Sequence, residues 1–405
     1  MPWTHHGRSY KQNGEQVSLL KAISMEEVIG EHEILCCGAH VRISQKGIEV
    51  LTEPRISHCP LHESLYGTKR ITREAVQKTV ETKIRKFGFC TCRRAFNDKP
   101  IVLYGASEMM KTWLENNLID CAVTVCEGAG TVITDNPSLV QGIGARLTGI
   151  IKTSPIKETL NFIGQHGGTM LNPDTAEINQ TKGVEKAIDK GYRNIAVTVA
   201  SFQAPSISEI RKLEKEKNVN VVIFSVCNTC LTKENVKHVL KADLVCAGAS
   251  KLVREEIGKK ALMQLGVTIP VFALTEKGKR LILEYLTHLK ERFVTFRTKT
   301  LPYLSNKNRK ERITDKPRSN FYEQAFLLFY AAILGLLVGI WGNLWATLYF
   351  EHIIKENPSF AIPFYVVSII LIILLVILCI YTIRFYKKRK LEKIPKKRDS
   401  EKCGF

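Results

Sequence analysis

Cysteine and histidine carry most of the chemical potential of this chain. Cys227-Asn-Thr-Cys230 sets two thiols at a spacing that can share a metal ion or cycle as a redox pair. Cys59-Pro-Leu-His62 has the spacing of one arm of a metal site, and Cys90-Thr-Cys92 offers a second arm. Cys59, His62, Cys90 and Cys92 together would complete a tetrahedral zinc set or hold an iron–sulfur cluster. His40, His58, Cys36 and Cys37 lie near them in sequence. Cys126-Glu127 is followed by Gly128-Ala-Gly130, which is either an anion-binding nest or a plain tight turn. Packing is the competing explanation for each cysteine, because thiols behave as small hydrophobes. No Walker lysine follows a glycine run, and Gly142-Ile-Gly144 with Gly149 is not a dinucleotide fingerprint, since its third glycine is misplaced.

The elements that must position these groups alternate. IVLYG (101–105), CAVTVC (121–126), NIAVTVA (194–200), VNVVIFSV (219–226), ADLVC (242–246) and IPVFAL (269–274) read as strands. Between them, 106–117, 154–165, 206–217, 232–241, 250–264 and 276–289 have helical spacing. This rhythm predicts an α/β fold: a mostly parallel, Rossmann-like sheet with helices on both faces. Residues 1–98 fit it poorly and predict a small N-terminal α+β cap with hairpin character. The expected organisation is a polar tail 1–27, a cap 28–98, an α/β domain 99–290 and a basic linker 291–320. A transmembrane hairpin 321–386 and a basic tail 387–405 follow.

In a parallel sheet the strand carboxyl ends share one edge, where ligands bind. Gly105, Ser107 and Glu108, then Cys126, Glu127, Gly128 and Gly130, then Cys227 and Cys230, then Cys246 and Gly248 should therefore converge. Candidate catalytic groups are Cys126 as nucleophile and Glu127 or Glu108 as acid/base. Gly105, Ser107, Gly128, Gly130 and Gly248 are candidates for approaching a cofactor closely. Cys59, His62, Cys90, Cys126, Cys227 and Cys230 are candidate metal ligands.

The 405 residues are 45% hydrophobic and 24% charged, which excludes a mainly disordered or fibrous chain. Twelve cysteines and an N-terminus without an apolar h-region predict a reducing compartment and thiols rather than disulfides. Between Glu323 and Glu351, and again between Glu356 and Arg384, no residue is charged, which predicts two membrane-spanning helices. Basic flanks place both termini in the cytoplasm, and the absence of charge within the spans argues for an anchor rather than a transporter. The net charge of +20 is then read as attraction to anionic lipid headgroups, with no nucleic-acid partner. Gly335 and Gly339 form a GxxxG that allows a hairpin or homo-oligomer contact.

The strings GAHVRI (38–43), CPLHESLYG (59–67), FGFCT (87–91), YGASE (104–108), CEGAGTVIT (126–134) and LVQGIGARLTGIIKTSPI (139–156) resemble, as a set, methanogenesis marker protein 8, an archaeal family. The resemblance covers about residues 28–290. It implies an anaerobic archaeal host and a methanogenesis enzyme complex as partner, but supplies no catalytic residues. The hairpin and the thiol of Cys92 look additional to that family. The function expected is a membrane-anchored cytoplasmic accessory protein of methanogenesis, binding a metal, iron–sulfur cluster or cofactor through cysteines. Two alternatives are a small-molecule enzyme holding an anionic ligand at the strand ends and a non-catalytic membrane scaffold.

Overall fold

The computed structural model describes residues 23–145 and 149–303, together with Gly339, Ile340, Gly342, Asn343 and Thr347 within a helix. The chain splits into two units, Met1–Pro317 and Arg318–Phe405, and both β-sheets belong to the first.

Three strands open it: β1 (His32–Cys36), β2 (Ala39–Ser44) and β3 (Gly47–Val50). In β1 and β2 buried and half-buried residues alternate, as expected of strands with one face on a core. Helix α1 (Pro60–Tyr66) follows, and α2 (Arg73–Phe87) covers that face. The buried residues of α2 are Val76, Thr79, Val80, Lys83 and Ile84, the i, i+3, i+4 stripe of an amphipathic helix. Thr79 and Lys83 are polar members of an otherwise apolar stripe.

The second sheet is built from β4 (Cys121–Cys126), β5 (Gly130–Thr134), β7 (Thr169–Met170), β8 (Asn194–Ala200), β9 (Asn220–Val226), β10 (Leu244–Cys246), β11 (Met263–Leu265) and β12 (Val271–Ala273). Its order is β11-β12-β10-β9-β8-β4-β5-β7. Helices α6 (Gln180–Asp189), α7 (Pro205–Glu216) and α8 (Lys233–Val239) pack on one face through Val184, Ile207, Ile210 and Val239. On the other face α3 (Ala106–Glu115), α4 (Pro137–Gly144) and α9 (Glu276–Thr287) bury Met109, Trp113, Val140 and Ile282. Helix α5 (Lys157–Gln165) contributes Ile163 to a smaller cluster with Cys126, Val132 and Ile143.

The expectation of a mostly parallel Rossmann-like sheet is corrected by the pairing. Only β4, β8, β9 and β10 run parallel. β5 and β7 extend one side antiparallel, and β12 and β11 extend the other. The first sheet, β3-β2-β1-β6, is wholly antiparallel. Its edge strand β6 (Gly149–Lys152) comes from the middle of the chain and pairs with β1. Two local expectations also change. Residues 101–105 form no strand, because the Glu108 carboxylate accepts the amide N–H groups of Ile101 and Val102 at 3.0 and 3.2 Å. Residues 250–264 form a π-helical turn, Val253–Ile257, and then leave the helix, because the Leu262 amide bonds the Ala273 carbonyl at 2.8 Å and β11 follows.

Among the described residues no helix is long and apolar enough to cross a membrane. The expected transmembrane hairpin, and with it a multi-pass membrane protein with cytoplasmic termini, is corrected accordingly. The window 321–386 from which it was read lies, five residues apart, outside the described residues.

Candidate functional site

A cavity of about 340 Å³ opens where the carboxyl ends of the parallel strands meet the first sheet and its helices. Six thiols line it: Cys36, Cys37 and Cys59 from the N-terminal elements, and Cys227, Cys230 and Cys246 from the strand ends. His62, Thr79, Lys83, Ser107, Glu108, Gly105 and Gly248 line it as well.

The N-terminal wall begins with a turn. β1 and β2 are joined by Cys37-Gly38 alone, with φ +51° and +80°. A two-residue hairpin with both central φ positive matches the type I′ turn, which favours Asn-Gly. Gly38 fits that geometry, and a Cβ there would come within 2.8 Å of Arg55 Cβ. Cys37 does not, since the left-handed region costs an ordinary residue about 1–2 kcal/mol. In a straight strand adjacent side chains point to opposite faces. The turn ends that alternation, and the Cys36 and Cys37 sulfurs gather on one side with a ring nitrogen of His62. Their ligand atoms lie within 4.8 Å of one another.

His62 comes from α1, which starts with Pro60 at its first position and Cys59 as the N-cap residue. Its Nε2 stands 2.9 Å from Thr79 Oγ1, and that hydroxyl donates its own hydrogen to the Ala75 carbonyl at 2.9 Å. Thr79 is therefore an acceptor, so Nε2 carries the proton. Nδ1 faces the Cys36 and Cys37 sulfurs; it is buried and makes no hydrogen bond of normal geometry, yet lies close enough to bias the Cys36 thiol. An orphaned buried acceptor beside two thiols is what a metal-binding imidazole presents before it is loaded.

The thiols differ in acidity. The Cys37 thiol hydrogen-bonds the Cys36 sulfur and holds Cys36 well below the ordinary thiol range, against the effect of burial; His62 and Lys83 add to the lowering. Cys37 is correspondingly pushed up, first by that same bond and then by burial. On the body side, burial pushes Cys227 up to about 12, with smaller contributions from Cys246 and Cys230 and opposition from Lys83. Burial also raises Cys246. Cys59 adds a small upward push on both Cys37 and Cys246, so it lies near both walls.

The body wall is fixed by Asn228. Its side-chain amide donates to the Ser225 and Cys246 carbonyls at 3.1 and 2.8 Å, tying the ends of β9 and β10. Cys227 precedes it with φ +53°, and Ser201 Oγ donates to the Cys227 carbonyl at 2.8 Å. Cys230 closes the short turn Asn228–Cys230.

Several candidates from the sequence stand elsewhere. Cys126 packs with Ala129, Val132 and Leu139, and burial drives its pKa well up. Glu127 is buried in an ion pair with Arg94, whose guanidinium stacks between Phe89 and Phe96. Gly128 and Gly130 form the β4–β5 hairpin turn, and a Cβ at Gly130 would strike the Ala176 carbonyl. Glu108 lines the cavity, but its carboxylate accepts from Ile101, Val102, Ser107 and Gln141. It serves as a clip for the loop before α3. Cys90 is in the core of the first sheet, and Cys92 is exposed. The set Cys59/His62/Cys90/Cys92 is thus divided. His40 and His58 pair with Glu33 and Glu63. Cys36 and Cys37 were not among the sequence candidates for ligands; the Cys-Gly dipeptide between two strand patterns is the signal that could have found them.

A family model described as an uncharacterised protein conserved in archaea, DUF2099, matches residues 32–287. The chain belongs to the DUF2099 family. Every residue lining the cavity falls within the DUF2099 match. A DUF2099-sized relative, the uncharacterised protein MJ0054 of Methanocaldococcus jannaschii, is 40% identical over 270 residues, which is 66% of this chain and 94% of that protein. The residues beyond 287 lie outside the DUF2099 match.

Proposed function

We propose that this DUF2099 protein binds a soft transition-metal ion through Cys36, Cys37 and His62 and presents it to the cavity. The observation that carries the reading is the buried His62 Nδ1, without a hydrogen-bond partner and within 4.8 Å of two sulfurs, of which Cys36 is the more acidic. Two thiolates and an imidazole suit Zn²⁺, and three protein ligands leave a fourth position for a ligand or substrate, as in catalytic Cys₂His sites. Ligands about 2.3 Å from such an ion stand roughly 3.5–3.8 Å apart, so the present spread closes with a shift of about 1 Å. Thr79 orients the imidazole from behind, and the buried Lys83 offsets thiolate charge. The resemblance to methanogenesis marker protein 8 supports placing this site in an accessory function of anaerobic archaeal metabolism.

Anaerobic titration of the full chain with Co²⁺ tests the reading. The expected result is thiolate-to-cobalt charge-transfer absorption saturating with the wild type and lost in Cys36→Ala and His62→Ala. A wild type without that absorption overturns it.

A further inference from the structure

The three thiols of the body wall have no part in the site just proposed. Cys227, Cys230 and Cys246 reach the same cavity from the ends of β9 and β10. Packing accounts for Cys246, which lies against the apolar core, but explains Cys227 poorly. Cys227 holds a left-handed backbone conformation that a residue chosen only to fill space has no reason to adopt. The Asn228 side chain spends its hydrogen bonds on locking these two strand ends together, which fixes the thiols in place. Glycines then remove side-chain bulk around them. A Cβ at Gly149 would sit 3.4 Å from the Cys227 sulfur, and one at Gly248 would sit 3.0 Å from Thr229 Oγ1.

Size points the same way. A water-sized group takes on the order of 30 Å³, so a single ion with one open position would leave most of the 340 Å³ cavity vacant. Charge does too. Cysteines that ligate a cluster do so as thiolates, whose buried charge needs a compensating cation, and Lys83, 3% exposed, lies on the cavity wall.

We infer that the cavity holds a polynuclear iron–sulfur cluster gripped from both walls, by Cys36, Cys37 and His62 on one side and by Cys227, Cys230 and Cys246 on the other. This rests on the metal reading of the N-terminal wall and extends it: with sulfide present, the N-terminal ligands would be shared among neighbouring irons, each tetrahedral iron taking one or two of them beside its bridging sulfides. Thiolates on both sides satisfy the preference of iron–sulfur clusters for cysteine ligands, with one imidazole substituting.

The test uses the full chain under anaerobic conditions, loaded with ferrous iron and sulfide, with iron, acid-labile sulfide and visible absorption measured per chain. The wild type should take up several irons with comparable sulfide. Cys227→Ala/Cys230→Ala should fall to one iron or fewer and lose the sulfide, while keeping the cobalt charge-transfer band of the N-terminal wall. Cys246→Ser, the milder change, should lower sulfide content if the double variant fails to fold. A wild type that loads one iron and no sulfide, or a double variant that loads as the wild type does, overturns the inference. In either case a persisting cobalt band leaves the mononuclear reading standing, whereas its absence from the wild type removes both.

Discussion

Replacing Thr79 by valine probes the site without touching a ligand. The side chains are nearly the same size, so α2 keeps its packing, and what goes is one oxygen. That oxygen accepts the Nε2 proton of His62 at 2.9 Å. Without it the protonated nitrogen is buried with no acceptor, which costs about 1–3 kcal/mol. The imidazole can escape the cost by moving its proton to Nδ1, the atom proposed to bind the metal, or by rotating away. Either response weakens metal binding. Removing such an outer partner typically lowers affinity about 10- to 100-fold, equivalent to roughly 1.4–2.8 kcal/mol. Anaerobic cobalt titration against a competing chelator reads that difference directly. Thr79→Ser keeps the hydroxyl and should bind within a few-fold of the wild type. Equal affinity for wild type, Thr79→Val and Thr79→Ser would refute the argument that Thr79 sets the tautomer, and with it the assignment of Nδ1 as ligand.

Cys37→Asn puts the preferred residue into the Cys37-Gly38 turn and should stabilise the metal-free protein by up to about 1 kcal/mol in urea denaturation while removing cobalt binding. Arg94→Ala strands the buried Glu127 carboxylate and should lower unfolding free energy by about 3–5 kcal/mol. Cys126→Ala should leave cobalt affinity unchanged within twofold, because its thiol packs away from the cavity. Burial works against ionising Glu214, but the Val221 amide, Arg211 and Lys277 outweigh it and depress its pKa. Its contribution to stability is complete above the unfolded-state value and is lost as pH falls through the folded one, so Glu214→Gln should flatten the acid limb of a stability-against-pH profile.

Much of the positioning was legible, and the exceptions have physical causes. The four parallel strands are continuous apolar runs, so β4, β8, β9 and β10 were read where they occur, and Cys227, Cys230 and Cys246 do share a rim. Cys126 leaves that rim because β4 does not end in a helix connection. It turns at Gly128 and Gly130 into β5, a strand absent from the expected alternation. Residues 101–105 are as apolar as a strand, but their amides are claimed by Glu108, a side chain seven residues on, which periodicity cannot register. Cys36 and Cys37 were hidden by the strand pattern itself. Neighbours on a strand face apart, and only the positive φ of the turn brings the two sulfurs together.

The ladder between β1 and β6 has a kinetic meaning. One wall of the thiol chamber hangs from β1, and β6, four residues from the middle of the chain, is laced to it by main-chain bonds from Leu35–Gly149 to Glu33–Lys152. Swinging that wall outward would unzip the ladder, so the cavity mouth is set by the wall as it stands. A metal ion proposed to bind there would therefore reach the thiols through the existing mouth of the cavity rather than by movement of that wall.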